Sequence, residues 1–337
     1  MNKRTISAII SVYNSEEFIR GRLENLLNQT IIDKLEIIII NSNSQEGEEK
    51  IIEEYLQNKN IKYLHTETTE TIYKAWNRGI KLSSGKYITN ANTDDRLKNN
   101  ALEILIDILE KNNEIALVYS DQYISDVPNQ EFLEIKNKKH RFNRPKYSRI
   151  KLLSEYIAGS QAVWRASLHF KDNIWFEENF EVGGDYDFVC KITEKYKIKR
   201  VEGVLGVYYK SADKLNKELK NINLTLDETF AIQDKYARRY ILSLSNEELK
   251  QFEKKINRII KIPKFIYSLV RIIMDRFFPS RQIPPLVFFI WLSSIIKESK
   301  GNKQDAIKLC KKYINDKRAN LIHQQYYRLT KINLIKQ

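Results

Sequence analysis

The chain has 337 residues, of which 42% are hydrophobic and 30% are charged, a composition typical of a globular protein with one large domain and a smaller one. The two cysteines, Cys190 and Cys310, lie far apart, which argues against a zinc or redox centre and fits a reducing, cytoplasmic compartment. The longest apolar run, Leu286–Ile296, is too short for the ~20 residues that cross a bilayer. The N-terminal run Ile6–Val12 lacks a cleavage site, so it predicts a first strand rather than a signal peptide.

The net charge of +14 is unevenly distributed. Residues 245–337 contain 20 Lys and Arg but only 7 Asp and Glu, a net of +13, so residues 1–244 are almost neutral. A basic C-terminal region indicates a polyanionic partner, either a membrane surface or nucleic acid. Nucleic acid is the weaker candidate, because no recognised nucleic-acid module accompanies the charge.

Residues 5–120 alternate between two hydrophobic periodicities. The apolar run Thr5–Val12 predicts a buried strand, and helical spacing of apolar residues predicts a helix over Glu16–Gln29. The alternation continues with strands at 35–40, 61–64, 86–89 and 115–119 and helices at 46–57, 71–82 and 101–109. This order predicts βαβ units and therefore an α/β fold with a mainly parallel sheet. No Gly-x-Gly-x-x-Gly follows a strand, so the dinucleotide fingerprint is absent.

The second half of the chain is less regular. Residues 121–150 are polar, carry the basic run Lys136–Arg141 and predict a long loop. Strand-like pieces at 159–165 and 201–209 flank a helix at 185–196, and a charged helical stretch covers 216–244. Beyond 245 come amphipathic helices broken by prolines. We therefore predict a first domain at 1–215, a helical connector at 216–244 and a basic helical region at 245–337.

The segment Asn90–Arg96 carries two adjacent carboxylates, Asp94 and Asp95, where a predicted strand gives way to a loop. Ligands of open α/β sheets bind beyond the carboxyl ends of the strands. Paired carboxylates there suit Mg²⁺ or Mn²⁺ carrying a phosphate. The alternative is that the pair caps the helix that begins near Lys98.

Four segments in sequence order resemble a family 2 glycosyltransferase of the GT-A fold. They are Ile9–Asn14, Glu36–Glu46, Ala75–Ile80 with the following Asp94-Asp95 pair, and Phe176–Ile192 with its Gly184-Asp185-Tyr186-Asp187 core. The resemblance extends over roughly residues 5–211. It implies a Rossmann-like catalytic domain at 1–215 that takes a nucleotide-diphosphate sugar as its donor.

The resemblance also implies the residues that hold the donor. Tyr13 and Asn14 stand where the family contacts the base and ribose, and Asn41 and Ser42 replace the Asp that commonly recognises the base. Asn77 and Arg78 lie in the third segment, where Arg78 either approaches the diphosphate or is a surface residue. In the family's Asp-x-Asp motif, Asn92 replaces the first Asp and Asp94 is the second.

For the metal, the resemblance implies that one of Asp94 and Asp95 ligates Mn²⁺ or Mg²⁺. The other would hold the ribose or a metal-bound water, and the sequence leaves open which is which.

On the acceptor side, the resemblance places Asp185 on the family's catalytic base. Its alternative is a helix cap or dipole partner. Gly184 replaces the family's usual Glu next to that base. Trp164 resembles a residue that borders the acceptor pocket, where it could stack on a sugar ring, but a packed strand tryptophan is an equal alternative. Asp187 is assigned a structural role.

The apolar segments of the C-terminal region, Phe265–Phe278 and Leu286–Leu292, suit the interface of an anionic membrane leaflet. The alternative is a helical subdomain with its lysines in solvent. A lipid-linked acceptor would explain membrane association, which would make the protein peripheral at the inner face of the cell membrane.

Taken together, the sequence predicts a metal-dependent, inverting glycosyltransferase of cell-surface polysaccharide assembly, acting on a glycan or lipid-linked glycan. One alternative is a degenerate GT-A fold that serves as a binding or scaffold protein, since Asn41, Ser42, Asn92 and Gly184 depart from the family pattern. Another is a nucleotidyltransferase, which would need a Gly-rich basic loop after the first strand; Ser11–Glu17 does not provide one.

Overall fold

The structure, a computed structural model, describes residues 5–210, 221–262, 266–270, 286–302 and 305–306. These residues fall into two compact units, one drawn from residues 1–147 and 157–221 and the other from residues 148–156 and 222–337. The division at 215 and 244 stays a prediction.

The first unit is built on one curled sheet with the strand order β3-β2-β1-β4-β8-β6-β9-β5, and β7 pairs with β6. The strands are β1 Ile6–Val12, β2 Leu35–Asn41, β3 Ile61–His65, β4 Tyr87–Asn90, β5 Arg96–Leu97, β6 Ile115–Ser125, β7 Arg141–Phe142, β8 Val163–Arg165 and β9 Lys197–Tyr209. Strands β1 to β4 are parallel, and β6 runs parallel to β9. The short β8 joins the two groups, antiparallel to both β4 and β6.

Helices flank this sheet, as the alternating periodicity predicted, so the α/β class is confirmed. In chain order they are α1 Glu16–Leu27, α2 Glu48–Glu53, α3 Ile72–Leu82, α4 Ala101–Lys111, α6 Ser167–Phe170 and α7 Gly184–Thr193, with α5 Arg149–Ser154 in the second unit. The central strands read as apolar runs because they are covered on both faces, and every residue of β2 is buried. Gly79 allows α3 to lie close to β1, since a Cβ there would fall 2.3 Å from Ile9 Cγ2.

One sequence-based expectation for this unit was wrong in part. Residues 121–150 predicted a long loop, but β6 continues to Ser125 and pairs with β9 up to Tyr209. The polar residues at the start of this segment, Asp121 and Gln122, are buried with partners. The Asp121 carboxylate, for example, forms an ion pair with Arg200 at 2.6 Å. A polar residue is expected to be exposed only when no buried group can hydrogen-bond or ion-pair with it.

The second unit is helical, with α8 Ile222–Ser243, α9 Asn246–Ile260 and α10 Leu286–Ser299. Residues Phe288–Ile296 are buried, and the Trp291 ring lies 6.1 Å from that of Phe230. Burial favours the helical-subdomain alternative for this apolar segment. Most of Phe265–Phe278 lies outside the described residues, so membrane association of 245–337 stays a prediction. None of the helices in the described ranges combines the length and apolarity that spanning a bilayer requires.

A buried histidine makes the stability of the first unit depend on pH. His169 Nε2 accepts a hydrogen bond of 2.7 Å from the Trp164 indole, and its ring stacks on Phe188 at 5.4 Å. Burial lowers the pKa of His169 to about 4. Because the folded pKa is below the unfolded value of about 6.5, neutral His169 stabilises the fold above pH 6.5, and this contribution is lost as the pH falls toward 4.

We predict that the free energy of unfolding falls by about 2 kcal/mol between pH 6.5 and 4.5 through His169 alone. Urea unfolding of H169F should show a flatter pH dependence, although the variant is less stable at pH 7 because the Trp164 N–H loses its acceptor. The matched control is H140Q, at an exposed position, which should keep the wild-type slope. A wild-type slope in H169F would contradict the assignment.

Candidate active site

The carboxyl ends of three adjacent parallel strands meet at one edge of the sheet. The strands are β2, β1 and β4, with Val12 opposite Asn41 and Ile9 opposite Asn90. The loops that leave these strands therefore come out side by side, and such an edge is where open α/β sheets bind ligands. The first three of the four family-like segments each include a loop that leaves this edge, after Val12, Asn41 and Asn90.

The turns after β1 and β2 are held together by hydrogen bonds. Asn14 adopts a left-handed φ of 49°, and its N–H donates to Ser44 Oγ at 2.9 Å. The Ser44 N–H donates to Asn41 Oδ1 at 2.9 Å, and Asn41 Nδ2 donates to Tyr63 Oη at 3.2 Å. Asn41 is thus fixed in the protein, whereas Tyr13 is 45% exposed and presents its ring to solvent.

Three buried oxygens at this edge have no hydrogen-bond partner within the described residues: Ser42 Oγ, Asn90 Oδ1 and Asn92 Oδ1. A buried polar atom without a partner costs about 1–3 kcal/mol, so native proteins rarely keep three near each other without a ligand or water. Sequence reasoning included Ser42 and Asn92 but missed Asn90. Its place as the last residue of the strand before the acidic pair was the signal that could have found it.

The two carboxylates of the acidic pair have different surroundings. Asp95 is buried, with its Oδ2 accepting from Ser160 Oγ at 2.5 Å and its Oδ1 from the Tyr209 N–H at 3.2 Å. Asp94 is half-buried, and in the described part of the chain no other side chain donates to it. The pair does not cap a helix: β5 follows it directly, and Asn100 is the residue before α4.

Two buried arginines support the loop that carries the pair. Arg22 Nη1 donates to the Asp95 carbonyl at 3.1 Å, and Arg96 Nη1 donates to the carbonyls of Thr93 and Asp95 at 2.8 and 2.7 Å. Burial, followed by repulsion from the neighbouring Arg96, lowers the pKa of Arg22 to about 10. Sequence reasoning assigned neither arginine a role: Arg22 lies in an amphipathic helix, where an Arg is expected at the surface, and Arg96 was named only as the end of the acidic segment.

The residues at this edge fit a hard divalent cation. The Asp94 carboxylate and the unpartnered Asn92 oxygen are oxygen ligands of the kind that Mg²⁺ and Mn²⁺ prefer. The described residues contain no group of three or more His, Cys, Asp or Glu that could hold a metal. Mg²⁺ and Mn²⁺ usually need only one or two protein carboxylates, because water and phosphate oxygens supply the other ligands.

Asp185 lies in the first turn of α7, behind the cap residue Gly183. It is half-buried, and its Oδ1 accepts from the Tyr186 N–H at 2.8 Å. Gly184 is buried against the Tyr73 ring, where a Cβ would come within 2.7 Å. The Glu that the family usually has at this position would therefore not fit here. Asp187 is fully buried and pairs with Lys191 at 2.8 Å, in agreement with a structural role.

Three other predicted residues are occupied by contacts within the protein. Asn77 Nδ2 donates to the Phe176 carbonyl at 3.0 Å and to Glu178 Oε1 at 2.9 Å. Arg78 pairs with Glu70 at 2.6 Å on the surface. Trp164 is 2% exposed, so its ring has no free face for a sugar, and the packed-strand alternative describes it better.

Comparisons with known proteins agree with this geometry. Residues 7–169 match the sequence model of glycosyl transferase family 2. An uncharacterised glycosyltransferase of Methanocaldococcus jannaschii is 27% identical over 215 residues, which are 62% of this chain and 71% of that protein. The chondroitin synthase of Pasteurella multocida is 26% identical over 72% of this chain, but the match spans only 24% of the synthase.

Solved structures show the same fold. S. aureus TarS 1–349, in complex with UDP-GlcNAc, superposes with a TM-score of 0.60 at 15% identity and covers 98% of this chain and 92% of its own. The Pyrobaculum calidifontis mannosyltransferase PcManGT, in complex with GDP-Man and Mn²⁺, superposes with a TM-score of 0.53 at 13% identity. The superposition covers 99% of this chain and 88% of the mannosyltransferase. The protein is thus a glycosyltransferase of GT-A fold. The match to glycosyl transferase family 2 covers residues 7–169, just under half of the chain, and favours a glycosyltransferase over the nucleotidyltransferase.

The pKa of Asp94 makes cation binding at this edge depend on pH. Burial, followed by repulsion from Asp95, raises the pKa of Asp94 to about 7. A folded pKa above the unfolded value of about 3.9 means that the metal-free protein gains stability as the pH falls through 7. A cation must displace this proton.

We predict that Mn²⁺ affinity, measured by calorimetry without substrate, weakens about tenfold per pH unit below pH 7 and levels off above it. In D94N the pH dependence should be lost together with most of the affinity. A wild-type affinity that is constant between pH 5.5 and 8 would contradict proton competition at Asp94.

Proposed function

We propose that the protein transfers a sugar from a nucleotide-diphosphate sugar to a glycan or lipid-linked glycan acceptor, with inversion at the anomeric carbon. The observation that carries this proposal is the edge formed by β2, β1 and β4. It brings an exposed Tyr13, a fixed Asn41 and the half-buried Asp94 together with three unpartnered oxygens. The nucleotide sugars bound by TarS and PcManGT support a donor of the same class.

In this proposal the β1 and β2 turns bind the nucleoside. The exposed Tyr13 ring covers the base, while Asn14, Asn41 and Ser42 offer polar contacts to the base edge and the ribose. Asn41 uses its amide oxygen to hold the Ser44 N–H, so Ser42 Oγ is the hydrogen-bonding group that stays available.

Asp94, rather than Asp95, is assigned as the ligand of Mn²⁺ or Mg²⁺, with the Asn92 oxygen beside it. Both Asp95 oxygens already accept hydrogen bonds from Ser160 and Tyr209, so Asp95 holds the loop in place. When bound, the cation neutralises the negative charge that develops on the leaving diphosphate. A lipid-linked acceptor would bring residues 245–337 to an anionic membrane surface at the cytoplasmic face of the cell.

Asp185 is assigned as the base. It takes the proton from the acceptor hydroxyl as that oxygen attacks the anomeric carbon on the face opposite the diphosphate. The backbone of the first turn of α7 favours the ionised form of a carboxylate at this position. Gly184 lets the Tyr73 ring lie close beneath the turn, and the Asp185 carboxylate accepts a hydrogen bond from the Tyr186 N–H at 2.8 Å.

The assignment of the metal ligand can be tested by comparing D94N with D95N. We expect D94N to lose Mn²⁺-dependent binding of a sugar nucleotide by at least about a hundredfold without a fall in the thermal midpoint, because it removes a metal ligand whose charged form is disfavoured by burial in the metal-free fold. D95N should lower the thermal midpoint, because a buried acceptor of two hydrogen bonds is altered, and should keep part of the metal dependence. A panel of UDP-, GDP- and dTDP-sugars identifies the donor. If no member binds in a Mn²⁺-dependent way, the proposed function fails.

The role of Asp185 predicts a loss of rate without a loss of donor binding. D185N should reduce transfer, or slow donor hydrolysis, by about 10²–10⁴-fold while the donor dissociation constant stays within about twofold. The matched control is D187N on the same helix, which removes a buried ion pair and should reduce stability more than rate. Full activity in D185N would show that another group is the base.

A further inference from the structure

The segment that connects β6 to β8 contains an unusually basic stretch. Residues 136–147, here called the basic hairpin, contain six Lys and Arg and no Asp or Glu. Lys136, Lys138, Lys139 and Arg141 are exposed, and within the described part of the chain none of the four has a carboxylate at ion-pair distance. Lys146 does have one, Glu202 at 3.7 Å. Because residues 1–244 are almost neutral overall, this cluster is a local feature rather than part of a general basic excess.

The basic hairpin is attached directly to the active-site edge. Its strand β7 pairs with β6, so that Phe142 lies opposite Gln122 and Arg141 lies opposite Tyr123. The Ile124 N–H donates to the His140 carbonyl at 2.9 Å, which extends the pairing toward the tip. Arg141, one of the exposed cations, therefore lies one residue along β7 from Phe142, the pairing partner of Gln122.

Gln122 in turn belongs to a chain of hydrogen bonds that ends on the acidic pair. Arg144 Nη2 donates to Gln122 Oε1 at 3.1 Å, Gln122 Nε2 donates to Ser160 Oγ at 3.0 Å, and Ser160 Oγ donates to Asp95 Oδ2 at 2.5 Å. Gly159 permits this arrangement: its φ is +74°, and a Cβ there would lie 2.8 Å from both Arg144 Nη2 and Gln122 Oε1. The hairpin is thus held in register with the loop of Asp94 and Asp95.

An aromatic contact fixes the hairpin a second time. The Phe142 ring lies 5.4 Å from the Tyr208 ring, and the Arg144 guanidinium lies 4.7 Å from the Phe142 centroid. Tyr208 is the neighbour of Tyr209, whose N–H donates to Asp95. The hydrogen-bond chain and the aromatic contact therefore hold the basic hairpin, with its exposed cations, beside the loop of Asp94 and Asp95.

We propose that the basic hairpin binds the acceptor, and that this acceptor is an anionic glycan chain bearing phosphate or carboxylate groups. The inference rests on the proposed function and names its substrate class. Four exposed cations within six residues, gathered at a turn in which the His140 N–H donates to the Asn137 carbonyl at 3.2 Å, exceed what one donor diphosphate needs and suit a chain with repeated charges. Cations held on a pre-formed hairpin attract such a chain and orient it toward the site.

The test compares K138S/K139S/R141S with a charge-matched control, K250S/K254S/R258S, which removes the same three cations from the exposed face of α9. The probes are a glycerol-phosphate oligomer, a chondroitin oligosaccharide and a neutral chitin oligosaccharide of equal length, titrated at several salt concentrations. We expect wild type to bind at least one anionic oligomer with salt-dependent affinity. The hairpin variant should weaken this binding roughly tenfold or more, while the control variant should bind like wild type.

The two anionic oligomers separate phosphate from carboxylate as the recognised group. Equal binding of the neutral oligosaccharide, unchanged affinity in the hairpin variant, or an equal loss in the control variant would overturn the inference. The inference would also be overturned if the hairpin variant lost binding only to vesicles of anionic phospholipid and not to the anionic oligomers. Mn²⁺-dependent donor binding, measured on the same preparations, separates the two proposals: if it is intact while no anionic oligomer binds, only the acceptor inference fails.

Discussion

The buried carboxylate of Asp95 is the group on which the arrangement of the active-site edge depends. Its oxygens accept hydrogen bonds from the loop before β8 and from the end of β9, and its backbone carbonyl accepts from Arg22 on α1 and from Arg96. Elements far apart in the chain are thereby fixed to one residue. Asp94, its neighbour, is consequently held at the sheet edge, and no other side chain in the described part of the chain donates a hydrogen bond to its carboxylate.

The different roles of Asp94 and Asp95 explain why this loop carries two adjacent carboxylates rather than one. A carboxylate that is both buried and fully hydrogen-bonded has little capacity left for a cation, whereas an isolated carboxylate on a mobile loop would be poorly placed for one. Two adjacent residues resolve the conflict, because Asp95 is buried and hydrogen-bonded while Asp94, in the turn just before it, is only half-buried. The two buried arginines beneath the loop carry opposite charge and support both members of the pair.

The sequence was informative where one physical signal dominated. Apolar runs and helical spacing predicted the strands and helices of residues 5–120, because central strands are covered on both faces and leave an unambiguous pattern. The end of β6 was not predictable in this way, since Asp121 and Gln122 look solvent-exposed until their partners on distant elements are known. Arg22 was missed for the same reason. For Asn77 and Trp164, spacing located the segment, but only the packing showed that both side chains are occupied.

The contact between Gly184 and Tyr73 has a consequence for how this protein differs from its relatives. A side chain at position 184 would displace the Tyr73 ring, whose hydroxyl donates to the Val182 carbonyl and so ties the start of α7 to α3. Neither position can therefore change alone without disturbing the turn that carries Asp185. Among relatives, the presence of an acidic residue at the first position should coincide with a smaller residue at the second, so the two are expected to covary as one inherited unit.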